Sequence, residues 1–408
     1  MKPLIGILLL IGLIGLVVLV GCKEDPPASV FDPNVVAAPT PQLTSISPAG
    51  FGWAGVSVIT LTGTNFSAVM EKNLVFFDAT PGTVIQASAT QLQVKVPLYV
   101  KDSITVRVAV NQANEYSPPL KYTLKAAVTE FSKFQTFEEP WATTVDSGGN
   151  VYVSLISAGA GAGIKKIAPD GTRSDFAVSG GVTKFSALKI GPGGDIYAAR
   201  LARAIYRIPA AGGTPALWMQ ITGTILSDLD FDPDGNIWTG GPGQTSVYRV
   251  KVSDKSFKAF PFLGDVRSIR YFDGYLYVGG RPFTDSLERV TRFRVYSTDS
   301  LGAAEEYFNL KTAGYTGRFI YAINFSADGD LFIGTEGTNP IIVVHPSKSS
   351  EIFFPGLLSP TTHILPWGQG PYLLAVTGTA SGGAVSSSSK IWQINSLKAN
   401  GAPYYGRP

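Results

Sequence analysis

Few residues in this chain could carry chemistry by themselves. There are two histidines, His345 and His363, and one cysteine, Cys22. Ser-His-Asp catalysis would have to use one of those histidines, and no HExxH, GxSxG or Cys–His pattern accompanies them. His345 lies in a strand-like run, IIVVHPSK, where an imidazole reads as structural. His363 precedes another apolar strand and is the histidine placed to face a ligand. Asp232-Pro233-Asp234-Gly235-Asn236 looks like a calcium loop, but no acidic residue follows where an EF-hand needs one, so it reads as a turn. A lone cysteine cannot form an internal disulfide. Cys22 instead closes an apolar run: Lys2 supplies a positive charge, residues 3–21 carry none, and Leu19-Val20-Gly21-Cys22 ends it.

The elements that must position these residues are announced by a phrase that recurs six times. It reads DSGGNVYVS (146–154), GPGGDIYAA (191–199), DPDGNIWTG (232–240), FDGYLYVGG (272–280), ADGDLFIGT (327–335) and GQGPYLLAV (368–376). Asp, Asn and Gly accept the left-handed backbone of a two-residue hairpin turn, and the β-branched and aromatic run behind them suits a buried strand. The turn glycines Gly149, Gly194, Gly235, Gly274, Gly329 and Gly370 lie 39 to 55 residues apart. Further strand-like runs fill each interval, giving four strands per repeat. That period with that content predicts an all-β, six-bladed propeller over residues 126–408. The sixth repeat has only three clear strands, so Glu130–Phe137 is expected to supply its fourth and close the ring.

Residues 41–125 read as a separate small β domain, with alternating strands about every ten residues. Residues 22–40 are rich in Pro and Ala and read as a tether, and residues 1–21 as a removable leader. The chain is 45% hydrophobic and 15% charged, which excludes a disordered protein. A net charge of +3 without any block of like charge argues against nucleic-acid binding.

Several resemblances follow from these residues. Leu19–Cys22 resembles the bacterial lipobox, which implies lipidation of Cys22, removal of the leader and a membrane anchor. Lys23-Glu24-Asp25 resembles the export signal of Bacteroidetes surface lipoproteins, which implies an outer-membrane, cell-surface position. Ser47-Pro48-Ala49-Gly50, Gly55, the run from Ile59 to Phe66 (ITLTGTNF) and the run from Gln91 to Pro97 resemble the IPT/TIG type of immunoglobulin-like sandwich. The repeats resemble NHL-type and lactonase-like (SMP-30-like) propellers. Lactonase-like enzymes hold a divalent ion with a Glu, an Asn and an Asp; here the matching positions are Glu139, Ser186 and Asp228, so one ligand is missing. Streptogramin-lyase-like propellers need a histidine at the channel mouth, for which only His363 is available.

In a propeller, the starts of the inner strands and the loops between second and third strands share one face. Trp141, Lys184, Phe185, Asp228, Arg267, Arg281, Arg318, Tyr321 and His363 are placed there as a candidate ligand face. Loops 280–288 and 377–389 are long for hairpins; the second is rich in Ser and Gly and reads as mobile. Lys189, Asp230, Arg270 and Asn324 recur on inner strands and are expected to pair around the channel. The expectation is a non-enzymatic surface lipoprotein without cofactor or metal, binding a glycan, peptide or envelope protein as an accessory to nutrient uptake. The alternatives are a metal-dependent lactonase- or lyase-like enzyme and a structural or adhesion protein.

Overall fold

The computed structural model describes residues 36–297, 299–358 and 361–404. The leader, Cys22, Lys23, Glu24, Asp25 and most of the tether lie outside the described residues. Among the described residues the fold is all-β apart from two short 3-10 turns, and it divides into two compact units.

The smaller β domain is an eight-stranded arrangement. In spatial order its strands are Gln42–Ser47, Val58–Thr64, Gln91–Lys95, Thr80–Ala87, Asn73–Phe77, Lys101–Val110, Leu120–Lys125 and Phe51–Trp53. Ile59, Leu61, Phe77, Leu92, Val94, Ile104, Val106 and Val108 are buried, and they alternate along their strands as a one-sided sheet requires.

The larger unit is a propeller. Its first blade pairs Glu138–Val145, Val151–Ser157, Ala160–Ile167 and Arg173–Ala177 in order. The second pairs Ala187–Ile190, Ile196–Ala199, Ala204–Ile208 and Ala216–Gln220. The third begins with Asp228–Phe231, Ile237–Gly240 and Gln244–Val250. Its last strand, Phe257–Phe272, does not stop: it continues as the inner strand of the fourth blade, beside Tyr275–Pro282, Arg289–Ser297 and Glu305–Asn309. The fifth blade is Ile320–Phe325, Leu331–Thr335, Ile341–Val344 and Ser350–Ile352. The sixth is Thr362–Ile364, Tyr372–Ser381, Ala384–Asn395 and Val128–Glu130. The inner strands touch one another in sequence, and the sixth touches the first, so the ring is closed. Between blades the interior is aromatic and aliphatic; Tyr197, Trp218, Phe231 and Ile237 share one such cluster.

Three expectations are corrected. The closing strand is Val128–Glu130, not Glu130–Phe137. It pairs with Ala384–Asn395 through Val128–Ile394, Thr129–Gln393 and Glu130–Trp392. Beyond it Phe131 and Phe134 turn into the apolar cluster under the first and sixth blades, which ends the ladder. The turns are mostly one residue longer than expected. Asp146 receives the Asn150 N–H on its side chain (2.8 Å) while Gly149 N–H donates to the Asp146 carbonyl (3.0 Å). Asp232, Gly235 and Asn236 repeat that geometry. The carboxylate does the work of a backbone acceptor, and the left-handed glycine forms a bulge in a three-residue loop. Only the fourth-blade copy is a two-residue hairpin, with Phe272 opposite Tyr275 and both Asp273 and Gly274 at positive φ. Finally, 377–389 is not a loop. It forms the arms of a β-hairpin turning at Gly382-Gly383, with Gly378 opposite Ser388 and Thr379 opposite Ser387.

The closing strand can be tested directly. Phe131 N–H donates to Ile391 O and Asn395 N–H to Ala127 O, both at 2.8 Å. The alternation of an antiparallel ladder therefore makes Thr129 and Gln393 a hydrogen-bonded pair. Thr129→Pro should destabilise the propeller by about 1–3 kcal/mol, the consequence of leaving a ladder acceptor unpaired. Thr129→Ala should be nearly neutral. Equal melting temperatures for the two variants would refute closure through this strand.

Candidate functional site at the channel and its mouth

Side chains on the inner strands alternate between blade and channel, so residues two apart face the axis together. Asp228 and Asp230 on the third blade meet Ser268 and Arg270 on the fourth and Lys189 on the second. Lys189 Nζ lies 3.0 Å from Asp230 Oδ1. Arg270 Nη1 donates to Asp228 Oδ2 at 2.7 Å. The same oxygen accepts from Ser268 Oγ (2.8 Å) and Ile269 N–H (3.0 Å), and Asp228 Oδ1 accepts from Leu229 N–H (2.9 Å). Asn324 turns to the backbone instead, donating to Leu365 O at 2.7 Å. Burial, and after it Arg270, pushes the Lys189 pKa down, while Asp230 and Asp228 oppose the shift. Filled in this way, the channel keeps a free volume of only ≈ 60 Å³. That admits a few waters and is well short of the roughly 300 Å³ at which small-molecule sites begin.

The segment Gly401–Tyr404 closes the far end. Ala402 N–H donates to Phe325 O (2.9 Å), the Tyr404 hydroxyl bonds Val145 O, and Lys189 Nζ stands 5.1 Å from the centre of the Tyr404 ring.

At the mouth the predicted residues fall into separate groups. Trp141, Lys184 and His363 come together: Lys184 Nζ sits 3.1 Å over the Trp141 ring, and the His363 ring lies 5.4 Å from it. Trp141 Nε1 donates to Glu139 Oε2 at 3.2 Å, and His363 Nε2 meets Ser388 Oγ at 3.1 Å. Arg267 and Arg281 form a second group. Arg267 Nη1 binds both oxygens of Glu288, at 2.9 and 2.7 Å, and Arg281 Nη2 binds Asp265 at 2.9 Å. Tyr321 donates to Glu336 (2.9 Å) and accepts from Gly383 N–H (3.1 Å), which pins the tip of the 377–389 hairpin. Arg318 is bound to Thr335 Oγ1 (3.1 Å) and to the carbonyls of Thr338 (3.2 Å) and Asn339 (2.8 Å). Phe185 does not belong to any face. It is a core residue packed on Tyr206, because the alternation that points Lys184 outward points Phe185 into the blade. Trp141, Asp228, Tyr321 and His363 are buried too.

The lactonase-like set fares poorly as a metal site. Glu139 Oε2 also accepts from Ser388 N–H (3.3 Å), and Ser186 Oγ donates to the carbonyls of Ala199 (3.0 Å) and Leu226 (3.2 Å). A dication at Asp228 would have the Arg270 guanidinium as its neighbour. These residues do not fit a divalent ion. Among the described residues no group of three or more His, Cys, Asp or Glu is arranged to hold one. His345 bonds Asp330 through Nδ1 at 3.0 Å, a strut between neighbouring strands.

A wide recess was missed in the sequence. It lies at the opposite, turn-bearing end, between the fourth and fifth blades, lined by Tyr271, Phe272, Tyr307 and Lys348 among others. The aromatic run Tyr271-Phe272-Asp273-Gly274-Tyr275 was its signal.

With that geometry in view, comparison with known proteins gives the following. A family model described as IPT/TIG domain matches residues 41–124. No curated protein matches the chain. Among solved structures, a putative phosphatase from Bacteroides thetaiotaomicron is similar at a TM-score of 0.54 and 12% identity, over 90% of this chain and 98% of that one. An auxiliary nutrient binding protein from Bacteroides ovatus is similar at 0.50 and 12%, over 90% and 99%. A putative gluconolactonase is similar at 0.52 and 16%, over 68% and 94%. At these identities the likeness is one of fold.

Burial first, and Lys184 second, push the His363 pKa down to about 3. An unfolded histidine takes its proton near pH 6.5 and the folded one does not, so the folded state binds fewer protons between these values. The stability is therefore complete above about pH 6.5 and is lost as pH falls, by up to about 1.4 kcal/mol per pH unit. Melting temperatures followed from pH 7 to 4.5 should fall less steeply for His363→Gln than for the wild type. Parallel curves would mean that His363 is protonated in the fold.

Proposed function

We propose that this protein is a non-enzymatic binding lipoprotein of the bacterial outer membrane, held at the cell surface through Cys22 and serving as an accessory to nutrient uptake. The observation that carries the reading is the saturation of Asp228. Of the two carboxylates at metal-ligand positions on the inner strands, Glu139 is bonded to Trp141 and Ser388, and Asp228 already holds Arg270, Ser268 and two backbone N–H groups. A carboxylate so neutralised has little charge left for a metal. His363, with a pKa far below neutrality, is a weak general base. The fold serves both a protein named for nutrient binding and a putative gluconolactonase, so the site must decide between them. The leader, Cys22 and Lys23-Glu24-Asp25, followed by the tether, support the surface position.

Two measurements test this. Cys22→Ser should abolish incorporation of labelled fatty acid and release the protein from membranes, and Lys23, Glu24 and Asp25 changed together to alanine should keep lipidation but shield the protein from external protease. Loss of neither property would remove the anchoring reading. Added calcium should leave the melting temperature unchanged, since an ion selective for the folded state would raise it by mass action. A calcium-dependent rise that Asp228→Ala abolishes, together with lactone hydrolysis, would replace the binding reading with an enzymatic one.

A further inference from the structure

The recess at the turn-bearing end of the propeller has a volume of ≈ 1060 Å³, enough for a ligand of several rings. Tyr271, Phe272, Tyr307 and Tyr404 wall it and are each partly exposed. Packing holds these rings in place. Phe272 stacks on Phe325 with centroids 4.5 Å apart, and Tyr307 meets Tyr277 edge-on at 5.0 Å. Tyr404 lines both this recess and the channel, so it forms the partition between them.

Two cations reach into the recess. Arg292 stands over Tyr275 and Tyr307, at 4.5 and 5.5 Å from the ring centres, and pairs with Glu305 at 2.9 Å. Lys348 has no such partner. Its Nζ lies 2.9 Å over the Tyr307 ring, and among the described residues no carboxylate pairs with it. Burial and Arg292 together push its pKa down to about 8. Of the acids that line the recess, Asp328 is taken up by Lys398 at 2.8 Å, and Asp273 enters from the fourth-blade turn without pairing with Lys348. Lys348 also sits at φ +72°, in the left-handed region that glycine adopts freely and lysine does not. An aromatic wall beside an uncompensated ammonium calls for a ring that carries a negative charge. The C–H face of a sugar meets aromatic rings well, and a carboxylate on it would complete the charge of Lys348 with Arg292 close by.

We propose that this recess binds a carboxylated saccharide, its ring against the tyrosine wall and its carboxylate on Lys348 beside Arg292. The proposal deepens the binding reading above and rests on it. A neutral sugar would leave Lys348 uncompensated, and a small carboxylate would lack the ring contact.

The test is calorimetric titration of the lipid-free, otherwise intact protein with trigalacturonate, maltotriose and acetate at pH 7. Trigalacturonate should bind at least about tenfold more tightly than either control, as loss of a charge-assisted bond implies. Lys348→Gly should weaken it by about tenfold or more without lowering the melting temperature, because glycine suits the backbone there. Lys348→Arg should largely retain binding, and Tyr271→Ala should weaken it. Acetate binding as tightly as trigalacturonate would reduce the recess to an anion site and overturn the proposal. So would trigalacturonate binding indifferent to Lys348→Gly, or no binding at all. If trigalacturonate fails while another glycan or a peptide binds, the assignment of the recess falls and the binding reading stands. If calcium-dependent lactone hydrolysis appears instead, the binding reading itself falls.

Discussion

Charges buried along the axis of the propeller constrain everything around them. Lys189, Asp230, Arg270 and Asp228 sit on three successive inner strands where water is scarce, and each sign is met by its opposite. Desolvation would make any one of them expensive alone. Paired, they fill the channel, leave no room for a substrate and take up the carboxylate on which a catalytic ion would depend. The backbone joins in: Ile269 N–H reaches Asp228, and Tyr271 N–H reaches Asp230 at 2.9 Å. Lys189–Asp230 thereby ties the second blade to the third, and Arg270–Asp228 ties the third to the fourth, which the continuous strand Phe257–Phe272 already joins covalently and through its two ladders.

Much of this architecture was legible in the sequence because it rests on local chemistry. The spacing of Gly149, Gly194, Gly235, Gly274, Gly329 and Gly370 reports a repeat whatever the tertiary contacts. What was misjudged depended on contacts between distant residues. The end of the closing strand is set by Phe131 and Phe134 finding an apolar cluster, which no local pattern shows. The Ser/Gly-rich stretch reads as a loop until the opposite arm and the Tyr321 hydroxyl supply its partners. In two of the turns the extra residue goes with Asp146 and Asp232 accepting the N–H of Asn150 and Asn236, a side-chain bond that composition does not distinguish from an ordinary hairpin.

The candidate site was legible only in part. Alternation along inner strands correctly picked out Lys189, Asp230 and Arg270 as channel residues. It could not say that Arg270 would choose Asp228 over Asp230, since the rotation between neighbouring blades decides that. On the mouth face, charge and aromatic character drew attention to Arg267, Arg318 and Tyr321, yet these bond within the fold. The open recess lay at the other end, where turn residues and strand ends from two blades converge, and Lys348 there is far in sequence from Tyr271.

The central claim is that the channel carboxylates are structural partners of the channel cations. A double-mutant cycle between Asp228→Ala and Arg270→Ala, read by denaturant unfolding, tests it most directly. Asp228→Ala alone should cost about 3–5 kcal/mol, because Arg270 is left buried and unpaired. The two changes together should fall short of their sum by about 1–3 kcal/mol. Additive effects, with Asp228→Ala nearly neutral, would contradict the account and return Asp228 to the pool of residues free to hold an ion.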